Sequence, residues 1–286
     1  MTYQFKHDTW PGVSEPVTNA DLRVLSLGAG VQSTTLALMA AHGEIGPMPD
    51  VAIFADTGWE PSAVMEHLSW LSGANVLPFP ITTVKAMDLR QHVMDRAEAD
   101  EGRFISLPFF LDTGGMGRRQ CTREAKIAPV KAEIRRLLGV PKGHHATRFK
   151  VEQWIGISSD EMPRMAEARD KWITNRWPLI EARMSRGDCY AWLDRHGYPK
   201  PPKSSCIGCP FHKDAFWRDM QLNDPASFAD AVAADKALRK NGPARGMDSE
   251  EYMHRSCQPL GEIDFEARTG GPQIDFMDEC SGTCGT

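Results

Sequence analysis

The sequence predicts an α/β fold in which helices flank a parallel sheet. Residues 23–28 and 50–55 are short apolar segments with the composition of buried strands. A segment with strong helix composition follows each of them, at 33–41 and at 60–71. The chain is 41% hydrophobic and 25% charged, which indicates a folded core and excludes an intrinsically disordered chain. Strands that alternate with helices pair in parallel through right-handed crossovers.

The same alternation continues to about residue 200. Pro61 opens the second helix, where the missing N–H of proline costs nothing. We expect a third strand at 76–79, a helix at 85–99, a basic helix at 126–138 after the glycine-rich loop 112–117, a strand at 151–157 and a helix at 188–196. Gly197 is a natural stop for the last helix, because glycine adopts the left-handed conformation that ends many helices.

Composition divides the chain into three parts. Residues 1–20 are expected to form an N-terminal arm, because two prolines interrupt regular structure there. Residues 21–200 form the α/β domain. A run of prolines then introduces a cysteine-rich C-terminal region, 201–286, which is expected to contain two short helices and an acidic tail.

The sequence has the features expected of a cytoplasmic protein. No apolar run approaches the roughly 20 residues that a membrane-spanning helix needs, so no membrane partner is expected. The first residues lack the basic-then-apolar order of a signal peptide. In the cytoplasm, seven cysteines are not expected to form a disulfide framework, and metal-like spacing indicates a metal site or catalysis.

The net charge of −5 conceals a basic segment at 118–150, which contains ten Lys or Arg residues and two acids. Such an excess predicts a surface for anions, either nucleotide phosphates or a nucleic-acid backbone. The alternative is a solvated helix face that balances the acidic tail. Nucleic acid is therefore a candidate partner.

A glycine-containing loop joins the first strand to the first helix. Small residues there let backbone N–H groups approach an anion, while the helix N-terminus adds positive potential and Ser33 and Thr34 add hydroxyl donors. The loop is neither G-x-G-x-x-G nor a P-loop, so a packing turn is the alternative to a phosphate site. Asp56, Thr57 and Gly58 follow the second strand at the sheet edge where open parallel sheets bind ligands.

Together these two segments resemble the PP-loop adenine-nucleotide-binding family of the phosphoadenosine phosphosulfate (PAPS) reductase type. The resemblance rests on Ser-x-Gly-x-Gly-x-Gln-Ser at 26–33 and on Ala-Asp-Thr-Gly at 55–58. It implies a Rossmann-like fold of the adenine nucleotide α-hydrolase type, which binds ATP or a related adenine nucleotide. By this resemblance the phosphates contact Ser26, Gly28, Gly30, Gln32, Ser33 and Thr34, and the ribose or base lies near Asp56, Thr57 and Gly58.

Two later segments are similar to the branch of this family that contains the DNA phosphorothioation ATP pyrophosphatases. Cys-Thr-x(3)-Lys-x-x-Pro occurs at 121–129, and an element similar to Gly-x-Arg-x-x-Glu-Ser at 156–164 has Ser158 in place of its arginine. The resemblance implies nucleotide contacts from Arg123, Lys126, Gly156 and Arg164, catalytic candidates Asp160 and Glu161, and Mg²⁺ as a candidate cofactor. Without the resemblance, solvated surface charge is the expected role of the three basic residues.

Cys206-x-x-Cys209 has the spacing of two ligands to one metal centre. A redox dithiol is the alternative, although such a pair usually opens a helix after a strand. The layout of these cysteines resembles that of the iron–sulfur sulfonucleotide reductases. The resemblance implies a cluster of the [4Fe–4S] type. Cys121, Cys206 and Cys209 are then the expected ligands with Cys257 as the fourth, and zinc is the rival metal because it also accepts four thiolates.

Three further cysteines have different expected roles. Cys280 and Cys284 lie in a tail that is faintly similar to the Glu-Cys-Gly-Leu-His ending of those reductases. Either is a candidate nucleophile, persulfide carrier or additional metal ligand. Cys189 falls on the apolar side of a predicted helix and is expected to be a buried core thiol.

Three functions are consistent with these features. The first is an ATP-dependent sulfur-transfer enzyme that adenylates and thiolates a nucleic-acid or nucleotide acceptor, with a sulfur or electron donor protein as partner. The second is a PAPS or adenosine phosphosulfate reductase that releases sulfite. The third is a metal-stabilised nucleotide-binding module without catalysis. The Cys-Thr element, the basic segment and the absence of the Glu-Cys-Gly-Leu-His ending favour the first.

Overall fold

A five-stranded parallel sheet forms the centre of the molecule. A computed structural model describes residues 15–99, 105–240 and 248–268 of the 286-residue chain. Its strands are β1 Leu22–Leu27, β2 Val51–Ala55, β3 Ile81–Val84, β4 Phe110–Leu111, β5 Val151–Ile155, β6 Ile173–Arg176 and β7 Glu251–Tyr252. The sheet has the order β3-β2-β1-β5-β6, and β4 pairs with β7 in a separate antiparallel ladder. The predicted α/β fold with a parallel sheet is confirmed.

Helices flank this sheet. They are α1 Val31–Ala41, α2 Ser62–Leu71, α3 Leu89–Glu98, α4 Ala128–Leu137, α5 Pro178–Glu181, α6 Arg186–Arg195, α7 Asp214–Asn223, α8 Pro225–Lys240 and α9 Phe265–Arg268. A π-helical turn, Thr122–Ile127, leads into α4, and 3₁₀ turns occupy Ser159–Arg164 and Leu260–Glu262. The five helices predicted before residue 200 agree with α1–α4 and α6 to within a few residues. Within the described ranges, no helix combines the length and the apolar character needed to cross a membrane.

Both faces of the sheet are apolar, as expected of a parallel sheet covered by helices. Leu25 and Trp154 pack on the side of α1, α2 and α6, whereas Val24, Ile53 and Val151 pack on the side of α4. All five are at most 1% exposed. Because successive strand residues point to opposite faces, a one-residue slip would exchange the two sets, so this packing fixes the register of the strands.

The third strand lies later in the chain than predicted. The sequence analysis places it at 76–79, whereas β3 is Ile81–Val84, so that prediction is wrong. Pro78 and Pro80 explain the difference, because proline has no N–H to donate to a sheet ladder. The Pro80 carbonyl still accepts a hydrogen bond of 2.9 Å from the Ala52 N–H, next to the first residue pair of β2 and β3.

The two helices expected after residue 200 are α7 and α8, and they form a second apolar core with α3 and the residues before β4. Trp217 and Phe109 are fully buried in this core. Asp235 of α8 ties the segment after β7 to it, because its carboxylate accepts hydrogen bonds of 2.9 Å from the Met253 and Leu260 N–H groups. The C-terminal region therefore packs against elements of the α/β domain.

Candidate active site

A cleft opens at the carboxyl ends of β1, β2 and β5. The direction of strand succession reverses there, since β2 and β3 lie on one side of β1 and β5 and β6 on the other. Open parallel sheets bind ligands at this switch point, because the loops that leave the two central strands diverge. The polar residues and glycines that line the cleft are Ser26, Gly28, Gly30, Gln32, Ser33, Glu60, Lys126, Lys131, Gln153, Gly156, Arg164 and Ser204.

The loop after β1 forms the floor of the cleft. Ala29 adopts a positive φ of 56°, so the turn is made at Ala29 rather than at the glycines beside it. Gly30 is the N-cap of α1 and offers no side-chain hydrogen bond, and the first turn of α1 contains no acidic residue. The N–H groups of this turn and the positive end of the helix dipole therefore favour an anion here. Ser33 is fixed beside them, because its Oγ accepts a hydrogen bond of 3.2 Å from the Gly28 N–H.

The loop after β5 packs tightly on the loop after β1. A Cβ at Gly156 would lie 2.9 Å from the backbone nitrogen of Ser33 and 3.2 Å from the carbonyl carbon of Gln32. Glycine at 156 is therefore required for the two loops to approach. A Cβ at Gly28 would make only ordinary contacts, the nearest at 3.4 Å to Ser204 Oγ. Glycine at 28 is therefore not needed to avoid a clash within the protein, but its lack of a side chain leaves space at the cleft.

A hydrogen-bonded cluster holds one wall of the cleft. Glu161 accepts a hydrogen bond of 2.9 Å from Gln32 Nε2 and pairs with Arg164 at 2.7 Å. Gln32 Nε2 also lies 3.3 Å from the hydroxyl of Ser158, which is fully buried. Glu161 therefore acts on the cleft through the two side chains that it orients.

Seven other described residues that were predicted for nucleotide binding or catalysis do not line the cleft. They are Thr34, Asp56, Thr57, Gly58, Arg123, Asp160 and Glu161. Thr34 is fully buried, and its hydroxyl lies 3.0 Å from a ring nitrogen of His67. Arg123 pairs with Glu124 at the surface, and Asp160 accepts a hydrogen bond of 3.0 Å from the first N–H of α6.

The turn after β2 connects the cleft to a second pocket. Asp56 closes the turn by accepting a hydrogen bond of 2.7 Å from the Gly58 N–H. Gly58 has a φ of +74°, and a Cβ there would lie 2.5 Å from the side chain that caps α3. Thr57, which is fully buried, donates a hydrogen bond of 2.7 Å to Glu60 and lies 3.3 Å from Cys206 Sγ. The Thr57 hydroxyl therefore contacts both Glu60 in the cleft and Cys206 in the second pocket.

Three of the four predicted metal ligands line this second pocket, which we call the cysteine pocket: Cys121, Cys206 and Cys209. Cys206 and Cys209 are each 8% exposed. Cys257, the fourth predicted ligand, does not line the cysteine pocket, and its Sγ lies 3.5 Å from a carbonyl oxygen of β4. The structure therefore brings together three of the four.

The turn Cys206–Cys209 is packed against the loop after β2. The Ile207 N–H donates a hydrogen bond of 2.8 Å to the Trp59 carbonyl, and a Cβ at Gly208 would lie 2.1 Å from the Trp59 ring. Only glycine allows the indole to cover this turn. The Ser205 hydroxyl, in the wall of the cysteine pocket, is buried and has no hydrogen-bond partner among the described residues. An unpaired buried hydroxyl costs about 1–3 kcal/mol, which a hydrogen-bond acceptor in the pocket would remove.

Lys126 lies between the cleft and the cysteine pocket and lines both. Its place follows from the π-helical turn Thr122–Ile127, for which Cys121 is the N-cap. A π-helix pairs residues five apart, so it sets Cys121 and Lys126 on one face. The turn thus delivers one predicted metal ligand and one predicted phosphate ligand to adjoining sites.

The remaining three cysteines fall in two places. Cys189 is fully buried within α6, and burial raises the pKa of its thiol to about 12. It is therefore the core thiol that the sequence predicts. Cys280 and Cys284, the predicted catalytic thiols, lie outside the described residues.

Four polar residues of the cleft were not among the predicted site residues: Glu60, Lys131, Gln153 and Ser204. Of these, Lys131 lies in the basic segment that was expected to bind anions. Gln153 donates a hydrogen bond of 2.7 Å to Ser26 Oγ and is 4% exposed. A buried amide within an apolar central strand is a signal that could have identified it. Ser204 had no comparable signal, because its place at the cleft depends on how the C-terminal region folds back.

Among known proteins, similarity to this chain is found in solved structures. No protein-family model matches the chain, and no curated protein matches it. Among solved structures, the chain is similar to phosphoadenylyl-sulfate (PAPS) reductase from Candida auris in its phosphate complex, with a TM-score of 0.41 and 14% sequence identity. The similarity covers 64% of this chain and 76% of that reductase chain.

Proposed function

We propose that this chain is an adenine-nucleotide-dependent enzyme of sulfur chemistry. In this proposal the cleft binds the nucleotide, and Cys121, Cys206 and Cys209 hold an iron–sulfur cluster in the cysteine pocket. The observation that carries the proposal is that Lys126 lines both sites. A nucleotide phosphate and a metal-bound sulfur would therefore flank the same cation.

The charge of the cleft supports a phosphate-bearing ligand. Lys126, Lys131 and Arg164 line it, and Glu60 is the single acid among its lining residues. Lys131 also pairs with Asp170, which does not line the cleft. Glu161 orients the Arg164 guanidinium from outside the cleft. Preorganised cations beside the N–H groups of a helix N-terminus are the arrangement that proteins use for phosphate.

The resemblance to the iron–sulfur sulfonucleotide reductases favours an iron–sulfur cluster over zinc in the cysteine pocket. Cys121, Cys206 and Cys209 would hold either metal centre, because thiolates are ligands for both. The buried Ser205 hydroxyl would donate a hydrogen bond to an acceptor in the pocket, such as a cluster sulfide.

The favoured reaction is transfer of sulfur to an adenylated acceptor. An acceptor hydroxyl attacks the α-phosphorus of ATP, pyrophosphate leaves and the hydroxyl proton passes to solvent. Sulfide from a donor then displaces AMP, which leaves with the acceptor oxygen. Within the chain, the loop after β1 and Lys126 hold the phosphates in the cleft. When bound by three cysteines, an iron–sulfur cluster supplies an iron site for sulfide or for an electron. The alternative reaction is reduction of PAPS to sulfite with a tail cysteine as nucleophile.

Two assays of the full-length protein separate these reactions. We expect release of AMP and pyrophosphate from ATP when a nucleic-acid acceptor and a sulfide source are present. We expect no sulfite from PAPS and a thiol donor. Sulfite release that disappears in Cys280→Ser or Cys284→Ser would establish the reductase instead. Failure of the chain to bind either nucleotide would reject both reactions.

Lys126→Gln is expected to weaken adenine-nucleotide binding by roughly tenfold or more, because a hydrogen bond between charged groups contributes about 1.5–3 kcal/mol. Lys142→Gln is the matched control, since Lys142 is exposed and lies outside the cleft lining. Isothermal titration with ATP and with PAPS measures both affinities. Equal affinities in the two variants would show that the phosphates bind elsewhere.

Nucleic-acid binding is expected to weaken several-fold between low and physiological salt, because each contacted phosphate releases counterions. The tested side chains are Arg135 and Arg136 at the end of α4; Arg136 is 67% exposed and pairs with Glu133. The double change to alanine should reduce both the affinity for DNA or RNA and its salt dependence. Arg218→Ala, outside the basic segment, should change neither. Binding without salt dependence in the unaltered protein would argue against a polyanion acceptor.

A further inference from the structure

The neighbouring helices α1 and α6 end with the same backbone motif. The two helix ends meet at the C-terminus of α1, which is remote from the cleft. His42 is the C-cap of α1 and His196 is the C-cap of α6, and each is followed by a glycine with a φ near +70°. The next residues, Glu44 and Tyr198, donate N–H hydrogen bonds of 2.9 and 3.0 Å back to the last turns. Both helix ends are therefore Schellman motifs, which fix the positions of the two imidazoles. With 11 residues in α1, they lie about 16 Å from the nucleotide loop.

His42, Glu44 and His196 bring their ligand atoms to within 4.8 Å of one another. The contact between His196 Nε2 and Glu44 Oε1 is 3.7 Å. Metal bonds of about 2.0–2.2 Å place tetrahedral ligand atoms about 3.4 Å apart, so a small contraction would complete the set. Two imidazoles and one carboxylate are ligands suited to zinc and similar transition metals rather than to calcium or magnesium.

Trp192 orients two of these side chains. His196 Nδ1 lies 2.8 Å from the Trp192 carbonyl oxygen, so this nitrogen carries the proton and donates, which leaves the lone pair on Nε2. The His196 ring also stacks on the indole with ring centres 3.9 Å apart. The indole N–H donates a hydrogen bond of 2.9 Å to Glu44 Oε2, which leaves Oε1 facing His196. Metal sites commonly use such outer hydrogen bonds to fix the tautomer and direction of their ligands.

The electrostatic setting also favours a cation. The C-terminal ends of two helices converge on the cluster, and each contributes a partial negative charge. Glu44 adds a full negative charge. Tyr198 completes the rim, with its hydroxyl 2.7 Å from His42 Nε2.

We propose that His42, Glu44 and His196 bind a divalent transition-metal ion, with Zn²⁺ as the representative ion. Three protein ligands leave a coordination position for water, and His42 and Tyr198 also border a surface groove formed with residues 74–78. The ion links the ends of α1 and α6, which pack side by side in the main core. The site is separate from the cysteine pocket in place and in ligand chemistry.

Binding of Co²⁺ to the full-length protein tests the proposal, because its absorption distinguishes the two classes of ligand. Nitrogen and oxygen ligands give weak visible bands, whereas thiolates add intense charge-transfer bands. The difference spectrum between the unaltered protein and His42→Gln removes the absorption of the cysteine pocket, because both proteins contain it. We expect one Co²⁺ site with nitrogen and oxygen ligands. Glu44→Gln and His42→Gln should weaken its affinity at least about tenfold, the scale on which metal sites respond to lost partners.

His144→Gln is the matched control, because His144 is exposed and lies outside the cluster. It should bind Co²⁺ as the unaltered protein does. Without metal, Glu44→Gln should keep the thermal unfolding midpoint, since a glutamine oxygen still accepts the Trp192 hydrogen bond; added Zn²⁺ should raise the midpoint of the unaltered protein and not that of the variant. Thiolate-type bands alone, or equal affinity in all variants, would overturn the proposal.

Discussion

Cys206→Ser and Cys209→Ser are each expected to lose iron and sulfide and to lower the thermal unfolding midpoint by about 5 °C or more. Both thiols are buried in the wall of the cysteine pocket, and the same residues belong to the second apolar core. A metal centre that forms only in the folded chain adds its binding free energy to folding. In a chain of this size a loss of about 1 kcal/mol lowers the midpoint by roughly 2–4 °C.

The control for this experiment is Cys189→Ser. Cys189 is also buried, so the change tests the loss of a core thiol without the loss of a metal ligand. It should leave the iron and sulfide content unchanged. Anaerobically purified protein should be brown and should contain both elements, as measured by absorption and elemental analysis. Colourless protein with one equivalent of zinc would reject the iron–sulfur cluster, and equal iron in all three variants would reject the cysteine pocket as its site.

The fold was accessible to sequence reasoning wherever a strand is buried on both faces. The segment that became β2 is apolar from end to end, and those that became β1 and β5 are mainly apolar, because helices cover each face of a parallel sheet. β6 was not predicted, since Ile173–Arg176 is a short edge strand in which three of the four residues are polar. Its Arg176 is fully buried and pairs with both Glu181 and Glu152, contacts that no local pattern reveals.

The candidate site was predictable where function depends on adjacent residues and not where it depends on distant ones. The loop at 26–33 and the Cys206–Cys209 pair were identified from spacing and resemblance. The meeting of both sites at Lys126 was not, because it depends on a π-helical turn in a segment that 3.6-residue periodicity describes as an α-helix. The His42, Glu44 and His196 cluster joins two helix ends that are distant in sequence, and only the packing of α1 on α6 brings them together.

Gly28→Ala and Gly156→Ala are expected to weaken adenine-nucleotide binding by at least about tenfold for different reasons. A Cβ at Gly28 fits the protein, with its nearest contact 3.4 Å from Ser204 Oγ, but it occupies space where a phosphate would approach the loop. We therefore expect lost binding with an unfolding midpoint within about 2 °C of the unaltered protein. The strain of a positive φ is not involved, because the turn is made at Ala29.

Gly156→Ala is expected to lose binding together with stability. A Cβ there would lie 2.9 Å from the Ser33 nitrogen and 3.0 Å from its Cα, and this backbone belongs to the first turn of α1, so the two loops must move apart. Overpacking of this kind costs about 1–3 kcal/mol, which thermal unfolding detects. Gly187→Ala in α6 is the control, since its nearest contact is an ordinary 3.6 Å and alanine favours a helix. If Gly28→Ala and Gly156→Ala both bind ATP and PAPS as the Gly187→Ala control does, the loop after β1 is a packing turn and the nucleotide site lies elsewhere.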